Sequence, residues 1–214
     1  MLWIMALLAV LVTTLVIMPA HYHCFGRISR FWVQTTKVLP TLMCAAFAGC
    51  AVPGGDRYAL LVFIGLCVCA VADVMLGVHF VTGGALFLTG HVFYTAAFCA
   101  HRAPAWWSLP VFLAALSLLW LFLRRFRPLI QNALLFRGVQ LYSAALAVVL
   151  SLSLPMLFLA FSRRAVLAAL GALIFVLSDM GVCHAALCKI SRRRNACYLG
   201  IYYLAQLLLG LSAF

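Results

Sequence analysis

The chain reads as an all-α membrane protein: eight transmembrane helices in one bundle, with a spacing that suggests two parallel four-helix halves. Three observations predict this. Of its 214 residues 68% are hydrophobic and 8% charged, where a soluble domain carries about 25% charged residues. Apolar runs of roughly 17–25 residues, the length that crosses a bilayer, recur along the whole chain. Of the three acidic residues, Asp73 and Asp179 lie inside such runs, each eight residues after a glycine (Gly65 and Gly171) and 106 residues from one another. Little chain remains outside the bilayer, so residues 1–214 form a single polytopic domain.

The first run, 2–18, lacks a basic leading segment and is followed by Arg27 and Arg30, which predicts an uncleaved span rather than a signal peptide. The second, 34–52, is entered through Lys37. The third, 58–76, carries Asp73, and the fourth, 80–100, follows after a very short turn. On the fourth, Phe87, His91, Tyr94 and Phe98 recur at helical spacing and form one stripe. The fifth, 106–123, is apolar and runs into the basic cluster 124–127. The sixth, 138–159, opens with Arg137, Gln140 and Tyr142. The seventh, 165–187, carries Ser178 and Asp179, with His184 about one turn further on. The eighth, 197–213, carries Tyr198, Tyr202 and Gln206 at four-residue intervals.

The formal charge is +12, but the cations are split into short clusters beside the spans, which is a topology signal and excludes a nucleic-acid partner. Eleven cations follow the odd-numbered spans and four (Arg57, Arg102, Arg163 and Arg164) follow the even-numbered ones. The first set is therefore cytoplasmic, both termini are exoplasmic, and both intramembrane aspartates fall in the cytoplasmic half of the bilayer. Most of the nine cysteines, among them Cys44, Cys67 and Cys69, lie in apolar runs, where cysteine behaves as a small hydrophobe. No ligand spacing of the zinc type occurs, so neither a metal nor another cofactor is expected.

A carboxylate in hydrocarbon is costly, and it marks a functional site unless a nearby donor neutralises it. Two carboxyls held close in a low dielectric cannot both ionise easily. Such a pair divides into a protonated acid and an ionised base, the equipment of hydrolysis. A site in the cytoplasmic leaflet suits a lipid, with its tail in hydrocarbon and its head group among the basic loops. Lys37 is placed either to meet a phosphate or to snorkel at the membrane edge. His91 and Tyr94 share the fourth-span stripe and can support Asp73, although a buried histidine also serves as plain helix-packing glue. Tyr142, Ser178, Tyr202 and Gln206 complete the set of candidate supporting residues, while Tyr58 and Tyr198 read as interface anchors.

Five stretches, TKVLP (36–40), GLCVCAVADVML (65–76), GGALFLTGHVFYTAAF (83–98), GALIFVLSDMG (171–181) and YYLAQLLLGLS (202–212), resemble in their order the YhhN family of membrane proteins, whose characterised members are lysoplasmalogenases. The resemblance implies a lysophospholipid substrate and hydrolysis of its vinyl ether bond to a fatty aldehyde and a glycerophospho-base, with Asp73 and Asp179 as the catalytic pair. Other readings of the same residues are a proton- or cation-coupled transporter, a non-catalytic lipid-binding protein, and a metal-dependent lipid hydrolase using His91 and His184. The exoplasmic halves of the spans are nearly all apolar, which counts against a transport path. Head-group preference and oligomeric state are not legible in the sequence.

Overall fold

The computed structural model of the chain describes residues 30–159 and 161–214, with side chains from Lys37 onward; the first predicted span, 2–18, lies outside the described residues. Every regular element among them is helical. The seven α-helices are α1 (Arg30–Gly49), α2 (Arg57–Val78), α3 (Phe80–His101), α4 (Ser108–Arg124), α5 (Ala133–Leu159), α6 (Arg163–Leu187) and α7 (Arg192–Leu211). Each corresponds to one predicted run from the second to the eighth. Several begin a turn before their apolar stretch, because a helix continues through polar residues past the hydrocarbon edge.

Five of these helices are long and apolar enough to cross a membrane: α1 with the turn after it, α2, α3, α5 and α6. The α4 helix, with 17 residues, is shorter, and α7 is not among the five. Three arginines and Asn195 open α7, and Tyr198, Tyr202, Tyr203 and Gln206 line it, which makes it the most polar helix of the set. A multi-pass membrane architecture is thus plain.

Local chemistry explains where the helices start. Asp56 caps α2 by accepting from the Tyr58 amide at 2.9 Å, and Ser162 caps α6 by accepting from the Ala165 amide at 3.1 Å. Between α2 and α3 a single extended residue, His79, ends one helix and caps the next, accepting from the Thr82 amide at 3.2 Å. That junction forces α2 and α3 into a tight antiparallel pair.

The repeated glycine eight residues before each aspartate has a packing role. A Cβ at Gly65 would stand 2.7 Å from Tyr94 Cε1 on α3, and one at Gly171 would stand 2.9 Å from Leu209 Cγ on α7. In both places the missing side chain admits the helix that follows the aspartate helix. Helix α1 packs on α2 and α7, and α5 packs on α6 and α3, so the bundle closes through the α3–α5 and α1–α7 contacts. Its core gathers Leu66, Phe98, Phe175, Tyr203 and Leu209, all within 1% of complete burial.

At the end of the bundle where α2 and α6 begin, Arg164 gathers three elements. It pairs with Asp56 at 2.6 Å, donates to the carbonyls of Ser212 and Ala213 at 3.1 and 3.3 Å, and lies 4.6 Å over the Tyr58 ring. Tyr58 is 1% exposed and bonds the Ser212 hydroxyl at 2.8 Å. It is therefore a buried clasp residue rather than the interface anchor its position near a span end predicts. The third acidic residue, Asp56, is used here structurally.

Candidate active site

Asp73 lies five residues before the end of α2, partly buried, and α1 and α7 both supply donors to it. Thr41 Oγ1 donates to Asp73 Oδ2 at 2.6 Å, and Tyr202 Oη donates to the same oxygen at 3.0 Å. Tyr202 in turn accepts from Gln206 Nε2 at 2.7 Å, and Gln206 Oε1 accepts from Tyr94 Oη at 2.9 Å. Tyr94 also approaches Cys69 Sγ at 3.6 Å. One chain of hydrogen bonds therefore runs from the carboxyl of α2 through α7 to the core of α3.

Lys37 stands one turn before Thr41 on α1, and its ammonium is near enough for its charge to act on Asp73. Its backbone carbonyl accepts from Tyr203 Oη at 2.7 Å. Pro40 sits inside α1 and removes the amide that would bond the carbonyl of residue 36, and the tyrosine bonds the adjacent carbonyl, that of Lys37.

Asp179, on α6, has a separate and sparser surrounding. Tyr142 Oη on α5 donates to Asp179 Oδ2 at 2.6 Å, and Asp73 lies close enough for its charge to act on this carboxyl. No hydrogen bond joins the two carboxyls among the described residues. Between them stands an aromatic cluster. Phe175 on α6 meets Tyr202 and His91 edge-on at centroid distances of 5.6 and 4.8 Å, and His91 meets the Tyr142 ring at 5.4 Å. Phe87 closes the group against Tyr202 at 5.8 Å.

His91 is 1% exposed, and its Nδ1 lies 2.6 Å from the Phe87 carbonyl one turn back on α3. A carbonyl only accepts, so Nδ1 carries the proton and, in the neutral ring, Nε2 is a bare acceptor. Nε2 is the one buried side-chain polar atom without a hydrogen-bond partner among the described residues. The neighbouring hydroxyls of Tyr142 and Tyr94 have already committed their protons to Asp179 and Gln206.

Most of the residues predicted for the site meet here. Asp73, Lys37, Tyr202, Gln206 and Tyr94 form one connected group, and Asp179, Tyr142 and His91 form a second beside it. The stripe of Phe87, His91, Tyr94 and Phe98 is buried as its spacing predicts. The tight α2–α3 hairpin predicts His91 beside Asp73, but its ring rests on Tyr142, the partner of Asp179. Ser178 does not join either carboxyl: it is buried and donates to the Tyr198 carbonyl at 3.4 Å, fastening α6 to α7. Tyr198 holds His184 Nδ1 at 3.2 Å. Among the described residues no three His, Cys, Asp or Glu side chains are grouped as a metal site requires.

Sequence reasoning missed Thr41 and Phe175. Thr41 directly follows the KVLP segment and lies one turn beyond Lys37, so helical periodicity from Lys37 points to it. Phe175 lies one turn before Asp179 on the same helix face.

The YhhN family profile matches residues 32–213, nearly all of the described chain and every residue of both carboxyl groups' surroundings. The chain belongs to the YhhN family. No curated protein and no solved structure matches it. The family match thus covers the α1 donor to Asp73 and the α7 tyrosine as well as the aspartate helices themselves, so the two carboxyls and their partners lie within one family domain.

Proposed function

We propose that this YhhN protein is a membrane-embedded hydrolase that cleaves the vinyl ether bond of lysoplasmalogen, releasing a fatty aldehyde and a glycerophospho-base. The observation that carries the reading is the pair of intramembrane carboxyls, Asp73 held by two hydroxyl donors and Asp179 by one, all from neighbouring helices, on either side of one buried aromatic cluster. Such a pair supplies an acid and a base without a nucleophilic side chain. Protonation of the alkenyl carbon gives an oxocarbenium ion, water attacks it, and the hemiacetal collapses, a course chemically close to that of paired-carboxylate glycosidases.

The remaining residues take supporting parts in this reading. Lys37 offers a cation near Asp73 and toward the head group. His91 Nε2, an acceptor lacking a protein donor, is suited to hold the reacting water. Helix α4 and α7 complete, with the 2–18 segment, a count of eight spans, and the Gly–Asp spacing together with the α1–α7 and α3–α5 contacts fits two parallel halves. The charge asymmetry of the loops puts both termini on the exoplasmic side; a reporter fused after Phe214 that proved cytoplasmic would reverse this orientation.

The reading is tested by incubating purified protein with an alkenyl-lysophospholipid and with its saturated ether analogue. Aldehyde is expected from the first substrate alone. Aldehyde from neither would remove the hydrolase reading.

A further inference from the structure

We infer that the two aspartates are unequal partners: Asp73 is the standing carboxylate that takes a proton from water, and Asp179 carries the proton delivered to carbon. The inference rests on the hydrolytic reading above and assigns the two roles that this reading leaves open.

The asymmetry is geometric. Each aspartate receives one hydroxyl from the helix that precedes its own, Thr41 on α1 for Asp73 and Tyr142 on α5 for Asp179, both at 2.6 Å. Beyond that the two surroundings diverge. Asp73 gains a second donor from Tyr202, and the Lys37 ammonium acts on its charge. Asp179 gains neither, and the repulsion between the two carboxyls, being mutual, leaves the donors to decide which of them ionises. Tyr202 stands seven residues before Leu209, which packs on Gly171, and at the matching place on α3, seven residues before Tyr94, which packs on Gly65, stands Phe87. Where α7 presents a donor to Asp73, α3 presents a phenylalanine, and His91, one turn further on, directs its proton to its own backbone. Donors and a cation favour a negative charge on a carboxyl, and a nearby negative charge disfavours a second one. One site is therefore furnished for a carboxylate, and the other for a carboxylic acid.

The proton bookkeeping of the reaction closes with this assignment. Asp179 gives its proton to the alkenyl carbon distal to oxygen, and the π electrons form the new C–H bond, leaving an oxocarbenium ion and an ionised Asp179. Water adds to the oxocarbenium carbon and loses a proton to Asp73. In the hemiacetal the ionised Asp179 takes the hydroxyl proton, the C=O bond of the aldehyde forms, and the C–O bond to glycerol breaks. The departing oxygen receives the proton held by Asp73. The pair returns to its starting state with no external acid or base.

The test reads protonation directly as well as turnover. In infrared spectra of the purified protein near neutral pH, the carbonyl stretch of a protonated carboxyl should be present in wild type, retained in Asp73→Asn and lost in Asp179→Asn. Loss in Asp73→Asn with retention in Asp179→Asn, or no such band in wild type, overturns the assignment. In the pH profile of kcat/KM, each variant should lose ~100-fold or more of the activity expected of a general acid or base. The residual rate of Asp73→Asn should lack the fall at the acidic end, and that of Asp179→Asn the fall at the alkaline end. Lys37→Met should alter the acidic limb alone; movement of the alkaline limb instead would again reverse the roles. If wild type releases no aldehyde while the infrared pattern holds, the hydrolytic reading fails and the unequal protonation stands.

Discussion

Removing the Tyr202 hydroxyl should be among the most damaging single-atom changes in the molecule. That oxygen donates to Asp73 at 3.0 Å and accepts from Gln206 Nε2 at 2.7 Å, inside a group where Tyr202, Gln206 and Tyr94 are all nearly or wholly buried. Tyr202→Phe deletes a hydrogen bond to a charged acceptor, worth about 1.5–3 kcal/mol, and strands a buried amide donor at about 1–3 kcal/mol. The expected loss of stability is therefore about 2.5–6 kcal/mol, measured as the shift of an SDS unfolding titration from mild-detergent micelles. Thr41→Val, close to isosteric, deletes the bond to Asp73 and should cost about 1.5–3 kcal/mol. The double variant Tyr202→Phe with Gln206→Leu removes the stranded donor together with its partner. It should be less destabilised than the sum of the single variants by about 1 kcal/mol or more, because the two residues share one hydrogen bond. Additive losses, or a cost below about 1 kcal/mol for Tyr202→Phe, would mean that Asp73 is not held by this chain of donors and that the reasoning from its geometry is wrong.

Glycine substitutions should separate packing positions from free ones. Gly65→Ala and Gly171→Ala, whose added Cβ would stand 2.7 and 2.9 Å from Tyr94 and Leu209, should each lose about 1–3 kcal/mol in the same titration. Gly200→Ala, with nothing within 4 Å, should instead gain up to about 1 kcal/mol from better helix propensity. A Gly65→Ala protein as stable as wild type would show that α2 and α3 do not approach so closely. His91→Leu should leave stability nearly unchanged, because it removes an unpartnered acceptor along with the bond to Phe87, yet should lower kcat by about tenfold or more with little change in KM. An unchanged kcat would return His91 to helix packing.

The aspartates announced themselves in the sequence because a carboxyl inside an apolar run is costly wherever it points, and two of only three acidic residues lie in such runs. The helices were legible for a similar reason: hydropathy alone locates segments that must satisfy their backbone internally. Tyr142, Tyr202 and Gln206 stood out as polar atoms among hydrocarbon, and Tyr94 through its helical stripe. Thr41 did not, since a threonine in a helix can bond its own backbone and carries no comparable penalty. Ser178 stood out by adjacency to Asp179, but neighbours in sequence lie about 100° apart around a helix, and its hydroxyl turns to α7 instead.

Composition, periodicity and the placement of charge determined, from the sequence by itself, a helical membrane protein with two intramembrane carboxyls and a short roster of polar partners. Which partner serves which carboxyl was decided only by the packing of α1 and α7 on α2, and of α5 on α6. Hydropathy constrains each helix against the bilayer, whereas the pairing of donors with acceptors depends on the rotation and depth of helices far apart in the chain. Tyr202 reaches Asp73 across 129 residues, and Tyr94 reaches Gln206 across 112. No local pattern encodes such distances. The unequal surroundings of Asp73 and Asp179, on which the division of their chemistry turns, exist only once those helices have closed around the shared aromatic cluster.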